Sequence, residues 1–242
     1  MNWDSGVRPL VIGHRGAGAY LPDNTLAACA LAVEQGADGI EVDVQMSADG
    51  RLVLFHDFNV KNTTNGDGKV TQMTLTELKA LDLGEGQRVP TLDDLLEMLG
   101  PSTLYNLEIK DFSISDRGVE TAVADRVESH NLQEHVLISS FNPFAVRRAR
   151  RVFSNRTKVA LIRAPGLLKY GYWLAQGEAD HPYHAQVHEK YMAWAKRRGF
   201  QQVNVWTVDD PAEACRLADL GVNAIVTNKP DVIVQALREH SS

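Results

Sequence analysis

The sequence predicts an α/β fold, a single parallel (β/α)8 barrel spanning residues 1–242, with a β-hairpin and a small insertion at about 47–90 after the second strand. Three observations lead there. The length is typical of one such barrel. Short apolar runs alternate with helix-like segments, most regularly from Leu104 onward, which is the pattern of a parallel sheet with crossover helices. The polar residues best suited to chemistry fall at the ends of the apolar runs, where barrels of this kind carry their functional groups.

Leu10 to Gly13 is a short apolar run bounded by Pro9 and His14-Arg15-Gly16, which predicts a buried strand with His14 at its C-terminal end. Asp23, Asn24 or Thr25 can cap a helix over Leu26 to Gln35, ended by Gly36. Ile40 to Met46 follows as a strand in which Glu41 and Asp43 share one face. Two carboxylates so close repel unless a cation lies between them, and an oxygen-only ligand set suits Mg²⁺ or Ca²⁺. Ser47-Ala48-Asp49-Gly50 is too short for a parallel crossover, so Leu52 to Phe55 predicts the second arm of a hairpin. Pairing Met46 with Arg51 brings His56 opposite Glu41. The alternative for this stretch is an ordinary hairpin with a polar outer face.

Asn59 to Asp67 is polar and predicts a surface excursion. Thr74 with Glu77 forms a capping box for a short helix ending near Gly84, and Pro90-Thr91 starts another over Leu92 to Leu99. Strands are predicted at Leu104 to Ile109, Val136 to Ser139, Lys158 to Ile162, Ala179 to Pro182, Val203 to Thr207 and Ala224 to Val226. The helices between and after them run over Gly118 to Ser129, Pro143 to Val152, Leu167 to Gln176, Ala185 to Arg198, Ala212 to Leu220 and Asp231 to Arg238. In the fourth of these, Val187, Tyr191, Trp194 and Ala195 form one stripe.

The charge of −6 with no basic run disfavours nucleic acid and anionic membrane surfaces as partners. No apolar run is long enough to cross a bilayer, and the N-terminal residues lack an apolar signal core, so no stable membrane association and a cytoplasmic location are expected. Cys29 and Cys215 lie in Ala-rich helical segments, which suits buried thiols better than a disulfide. The oligomeric state is left open. No cluster of Cys and His has zinc-ligand spacing.

His14, Glu41 with Asp43, Glu108 with Lys110, Ser140 and Trp206 all fall at predicted strand ends, so the barrel brings them to one mouth. Taken singly, each has a plainer explanation. His14 could be a structural hydrogen-bonder, Glu108 and Lys110 a surface ion pair, Trp206 a core residue. Their joint placement on one rim is what argues for a site.

These residues also carry a resemblance. His14-Arg15-Gly16, Pro22-Asp23-Asn24-Thr25, Gly36 through Val44, Asp49-Gly50, His56-Asp57, Pro90-Thr91-Leu92, Glu108-Ile109-Lys110, Ser139-Ser140-Phe141, Val205 through Val208 and Gly221 through Thr227 resemble, in order, the pattern of the glycerophosphodiester phosphodiesterase family. The match runs from about Gly13 to Pro230. It departs at Asp23, where the family usually has Glu, and at Asn228, where it usually has Asp.

The resemblance implies that Glu41, Asp43 and Glu108 bind one divalent cation, Mg²⁺ or Ca²⁺, and that His14 and His56 are the acid–base pair. Residue chemistry argues the same way. Arg15 can fork onto two phosphate oxygens and Lys110 can act as a point charge, offsetting the anion that repels a nucleophile. Two imidazoles can take one proton and give another near neutral pH. Asp57 is placed to orient His56 or the metal shell, and Trp206 to wall the alcohol pocket. The expected reaction is hydrolysis of a small glycerophosphodiester to glycerol 3-phosphate and an alcohol. Two alternatives stand beside it: a lysophospholipase D- or sphingomyelinase D-like activity on lipids, and a non-catalytic barrel that binds phosphoesters.

Overall fold

The computed structural model describes residues 2–4, 6–166, 175 and 177–240. Its strands are β1 (Leu10–His14), β2 (Gly39–Met46), β3 (Leu52–Leu54), β4 (Leu104–Ile109), β5 (Val136–Ser140), β6 (Lys158–Arg163), β7 (Ala179–Pro182), β8 (Gln202–Val205) and β9 (Ala224–Thr227). All but β3 run parallel in the order β1-β9-β8-β7-β6-β5-β4-β2, and β1 pairs with β2 to close the barrel. The expected fold is therefore the observed one, with β3 added antiparallel to β2. The helices are α1 (Leu26–Glu34), α2 (Leu75–Ala80), α3 (Leu92–Leu99), α4 (Val119–Ser129), α5 (Pro143–Val152), α6 (Glu189–Arg198), α7 (Pro211–Asp219) and α8 (Pro230–His240).

Successive side chains of a strand face opposite ways, so each barrel strand has one row inside and one outside. The outer row, including Val42, Val44, Leu107 and Ile138, packs with helix residues such as Leu95, Val123 and Val146. Burying each of the larger side chains contributes roughly 1.5–3 kcal/mol. The inner row starts apolar at the floor, with Ile12, Leu104, Leu137, Ala160, Ala179 and Ala224 packed under Trp3. Trp3 is tied there by its indole N–H, 2.9 Å from the His135 carbonyl. Gly39 belongs to this layer, since a Cβ there would lie 2.7 Å from the Leu104 carbonyl oxygen. Two residues further along, several of the same strands present His14, Glu41, Asn106 and His181, which line a pocket at the barrel's C-terminal end. A period-two pattern that changes from apolar to polar along the strands thus builds a dry floor under a polar mouth.

Side-chain caps fix where the helices start. Thr25, and not Asp23 or Asn24, caps α1, accepting from the Ala28 N–H at 3.1 Å. Thr74 with Glu77 and Thr91 with Asp94 form capping boxes on α2 and α3. Val53 of β3 and, from the residues between β3 and α3, Phe55, Val60, Val70, Leu78 and Val89 form a small apolar cluster.

Four expectations are corrected. The hairpin pairs Met46 with Leu52, not Arg51. Ser47 N–H reaches the Arg51 carbonyl at 2.9 Å and Gly50 takes φ +76°, so the loop has three residues with glycine in the left-handed position. The short helix α2 stops at Ala80 rather than near Gly84. The helix expected from Ala185 begins at Glu189 because the His188 side chain caps it, which leaves Val187 outside. Strand β8 ends at Val205, so Trp206 follows the strand. The helix expected over Leu167 to Gln176 lies outside the described residues.

Candidate active site

Among the described residues, the carboxylates of Glu41, Asp43 and Glu108 offer oxygens within 4.8 Å of one another, and all three are buried. Asp43 and Glu108 are direct neighbours across the β2–β4 ladder. Lys110, which follows β4, reaches Glu108 Oε1 at 2.7 Å and Asp43 Oδ1 at 3.2 Å. The Glu108 contact is a close ion pair between two buried side chains. Burial, and then the charge of Asp43, raise the pKa of both Glu41 and Glu108 well above the usual carboxylate range. Asp43 goes the other way. Burial opposes its charge, but Lys110 and Arg15 hold its pKa below the ordinary value. Three buried carboxylates outnumber the two cations beside them, and this all-oxygen donor set fits a hard divalent ion.

Arg15 is held in an uncommon conformation, φ +53°. Its N–H donates to Glu41 Oε2 at 3.0 Å and its carbonyl accepts from the Asn24 N–H at 3.0 Å. Gly16 is required next to it, at φ +89°, because a Cβ there would lie 2.5 Å from the Ala28 carbonyl carbon. The Arg15 guanidinium stands 3.3 Å from Asp43 and donates to Asp23 at 2.7 Å. Asp23 is thus a rim partner of Arg15, with 43 % of its side chain exposed, and it is not one of the buried carboxylates. One residue that sequence reasoning missed is Asn24. Its Nδ2 donates to Asp43 Oδ2 and its Oδ1 accepts from the Asp43 N–H, each at 2.9 Å, which fixes that carboxylate. Pro22-Asp23-Asn24-Thr25 carries both a possible helix cap and the family resemblance, but neither points to a contact between Asn24 and Asp43.

Both histidines reach the same pocket, of about 100 Å³, together with Arg15, Glu41, Glu108 and Lys110. The one-residue slip in the hairpin therefore leaves His56 on the Glu41 side of the barrel. His56 Nδ1 lies 2.7 Å from Asp57 Oδ1, so Asp57 meets His56 rather than the carboxylate cluster. His14 Nδ1 lies 2.7 Å from Asn228 Oδ1, and its Nε2 is 3.9 Å from Glu41 Oε2. Each Nδ1 faces an oxygen acceptor, so it carries the hydrogen and each Nε2 is the atom free to exchange protons. Burial, with the adjacent Arg15, lowers the pKa of His14; burial, with Lys110 and Arg15, lowers that of His56.

Trp206 lines the pocket, its indole N–H 2.9 Å from the His181 carbonyl and its ring edge-to-face with Phe141 at 5.4 Å. Ser140 does not join it. Its hydroxyl is turned to the Ile109 carbonyl at 2.8 Å, tying β5 to β4. Its neighbour Phe141 lines the pocket instead, 5.5 Å from Lys110 Nζ. Cys29 and Cys215 are free thiols away from this mouth, and no described helix is long and apolar enough to cross a membrane.

Residues 14–232 match the family described as the glycerophosphoryl diester phosphodiesterase family. A glycerophosphodiester phosphodiesterase of Caldanaerobacter subterraneus subsp. tengcongensis is 35% identical over 243 residues, covering 96% of this chain and 99% of that protein. A solved structure of an Oleispira antarctica phosphodiesterase in complex with the product sn-glycerol-3-phosphate is similar with a TM-score of 0.83 at 29% identity, covering 96% of this chain and 97% of that one. A glycerophosphodiester phosphodiesterase of Agrobacterium tumefaciens is similar with a TM-score of 0.79 at 28% identity, covering 94% and 99%.

Proposed function

The chain belongs to the glycerophosphoryl diester phosphodiesterase family, and from that premise we propose that it hydrolyses small glycerophosphodiesters with the help of one divalent cation, Mg²⁺ or Ca²⁺, and two histidines. The observation that carries the proposal is the convergence of two cationic side chains and two imidazoles on a pocket lined by Glu41 and Glu108, with Asp43 beside them in the same buried carboxylate cluster. Glu41, Asp43 and Glu108 would hold the cation. When bound, it supplies positive charge that polarises a phosphate oxygen.

The rest follows from the chain's own groups. Asn24 fixes Asp43, and the Arg15 backbone N–H fixes Glu41. Arg15 and Lys110 neutralise the diester, most strongly as charge grows on its oxygens in the transition state. One imidazole Nε2 takes the proton of the attacking hydroxyl as the new P–O bond forms. The other Nε2 gives a proton to the alcohol oxygen as the old P–O bond breaks. Water as nucleophile gives glycerol 3-phosphate directly; a neighbouring glycerol hydroxyl gives a cyclic phosphate first.

The pocket of about 100 Å³ favours an unacylated glycerol over a lipid glycerol inside it. One observation favours the lipid reading for the outer part of the substrate. Phe58 and Phe112, 47 % and 54 % exposed, meet edge to face at 5.6 Å beside a groove of about 450 Å³ that continues past His56 and Lys110. A screen of glycerophosphocholine, glycerophosphoethanolamine and a lysophospholipid, each with and without EDTA, tests the proposal. Chelator-sensitive turnover of the first two is expected. Turnover of the lysophospholipid alone would support the lipid alternative, and binding without turnover of any would support the non-catalytic one.

A further inference from the structure

The chain departs from the family's usual Asp at Asn228, and that residue is where His14 rests. Asn228 directly follows β9, His14 closes β1, and Asp209 lies in the loop after β8, so the three come from successive barrel neighbours. Asp209 Oδ1 accepts from the Asn228 backbone N–H at 2.7 Å and from the Thr227 hydroxyl at 2.9 Å, and Asp209 Oδ2 accepts from Asn228 Nδ2 at 2.7 Å.

These contacts determine the proton positions. An ionised carboxylate only accepts, so it is the amide nitrogen of Asn228 that must face Asp209. The amide oxygen is then left to face His14 Nδ1, at 2.7 Å. An amide oxygen also only accepts, so Nδ1 must carry a hydrogen, which leaves the lone pair of the neutral ring on Nε2. The surroundings hold Asn228 in place: its carbonyl accepts from the Ala19 N–H at 3.1 Å, and a Cβ on Gly18 would lie 3.3 Å from its Oδ1.

We propose that Asn228, itself oriented by Asp209, is a positioning residue that keeps His14 in the Nδ1–H form with Nε2 facing the pocket. The hydrogen bond from Nδ1 survives when Nε2 gains a proton, so the ring can take and return a proton without turning. The inference rests on the proposed role of His14 in proton transfer. It also gives the departure at position 228 a physical meaning: with Asp209 behind it, a second carboxylate at 228 would face the first, whereas Asn accepts on one side and donates on the other.

The test is an exchange of the two side chains. In Asp209→Asn the residue behind Asn228 can donate, so the Asn228 amide is free to turn its nitrogen toward His14 and drive the ring hydrogen to Nε2. A wrong histidine tautomer is costly, and kcat should fall about 10²–10⁴-fold with KM little changed. In Asn228→Asp two carboxylates oppose each other, and turnover or melting temperature should fall. The double variant Asp209→Asn/Asn228→Asp restores an acceptor for His14 and a donor behind it, so it should recover most of the lost kcat. ¹⁵N NMR of the neutral His14 ring provides a readout independent of turnover. It should report Nδ1–H in the parent and the double variant, and Nε2–H in Asp209→Asn. An Asp209→Asn protein that keeps both kcat and the Nδ1–H signal overturns the inference. So does a folded double variant no better than the worse single one. A His14→Ala enzyme with full turnover would instead refute the catalytic role of His14, and the NMR signal would still decide the positioning.

Discussion

Replacing Lys110 by Met removes one charge and keeps most of the side-chain volume. In the structure this ammonium is the counter-ion of two buried carboxylates, 2.7 Å from Glu108 and 3.2 Å from Asp43, with only 8 % of its side chain exposed. Removing one partner of a buried pair costs about 3–5 kcal/mol, because the remaining charge stays buried without compensation. For a chain of this size each kcal/mol is worth roughly 2–4 °C in melting temperature, so cation-free Lys110→Met should melt about 6–20 °C below the parent. Saturating Mg²⁺ or Ca²⁺ should recover much of that loss, since a bound cation would compensate the same carboxylates. Turnover should not recover. If Lys110 also neutralises the diester, kcat/KM per folded molecule stays about 10²–10³-fold low, as for loss of one strong transition-state donor. Thermal melts with and without cation, and kinetics on the same preparation, separate the two roles. Normal turnover per folded molecule would refute the catalytic part. A melting loss indifferent to cation would refute the shared-carboxylate part.

His14→Ala and His56→Ala should each cost about 10²–10⁴-fold in kcat/KM with cation affinity nearly unchanged, and the double variant should cost less than the product because the two act as one unit; strictly multiplicative losses in steady-state kinetics would contradict this. The pH profile of kcat/KM should be bell-shaped, with each single variant losing one limb. A base works when neutral, and burial lowers both imidazole pKa values, so the acidic limb should lie below pH 6.5; an acidic limb above that pH would count against the assignment. Stability should also depend on His181, whose burial lowers its pKa from 6.5 to about 3. Between those values the unfolded chain binds a proton that the folded one refuses, so stability falls as pH falls, by up to about 1.4 kcal/mol per pH unit. Denaturant unfolding should give a shallower acid slope for His181→Gln than for the parent, and equal slopes would refute this.

Much of the fold was legible because parallel strands buried on both faces read as short apolar runs, and because Thr74 and Thr91 announce their helices through capping boxes. The hairpin register was not, since Gly50 permits a three-residue loop that spacing alone cannot distinguish from a four-residue one. The start of α6 was misread because a histidine, His188, serves as its cap. Among candidate site residues, those on strands were legible because β geometry fixes their direction: His14, Glu41, Asp43, Glu108. Lys110 and Trp206, just beyond their strands, were still brought to the mouth. Asn24 and Asp209 were not legible. Both lie in loops and act through another side chain, Asn24 on Asp43 and Asp209 on Asn228, and such contacts join residues that no local pattern connects. Ser140 was misplaced because its strand end pairs back onto β4.

The proposed mechanism requires Glu41, Asp43 and Glu108 to hold one cation on which turnover depends. Calorimetric titration of Mg²⁺ and Ca²⁺ into chelator-treated protein, with glycerophosphodiester turnover followed on the same samples, tests it most directly. One equivalent should bind, turnover should appear with occupancy, and Glu41→Gln, Asp43→Asn and Glu108→Gln should each lose both together. Full turnover by protein verified to be free of metal would contradict it.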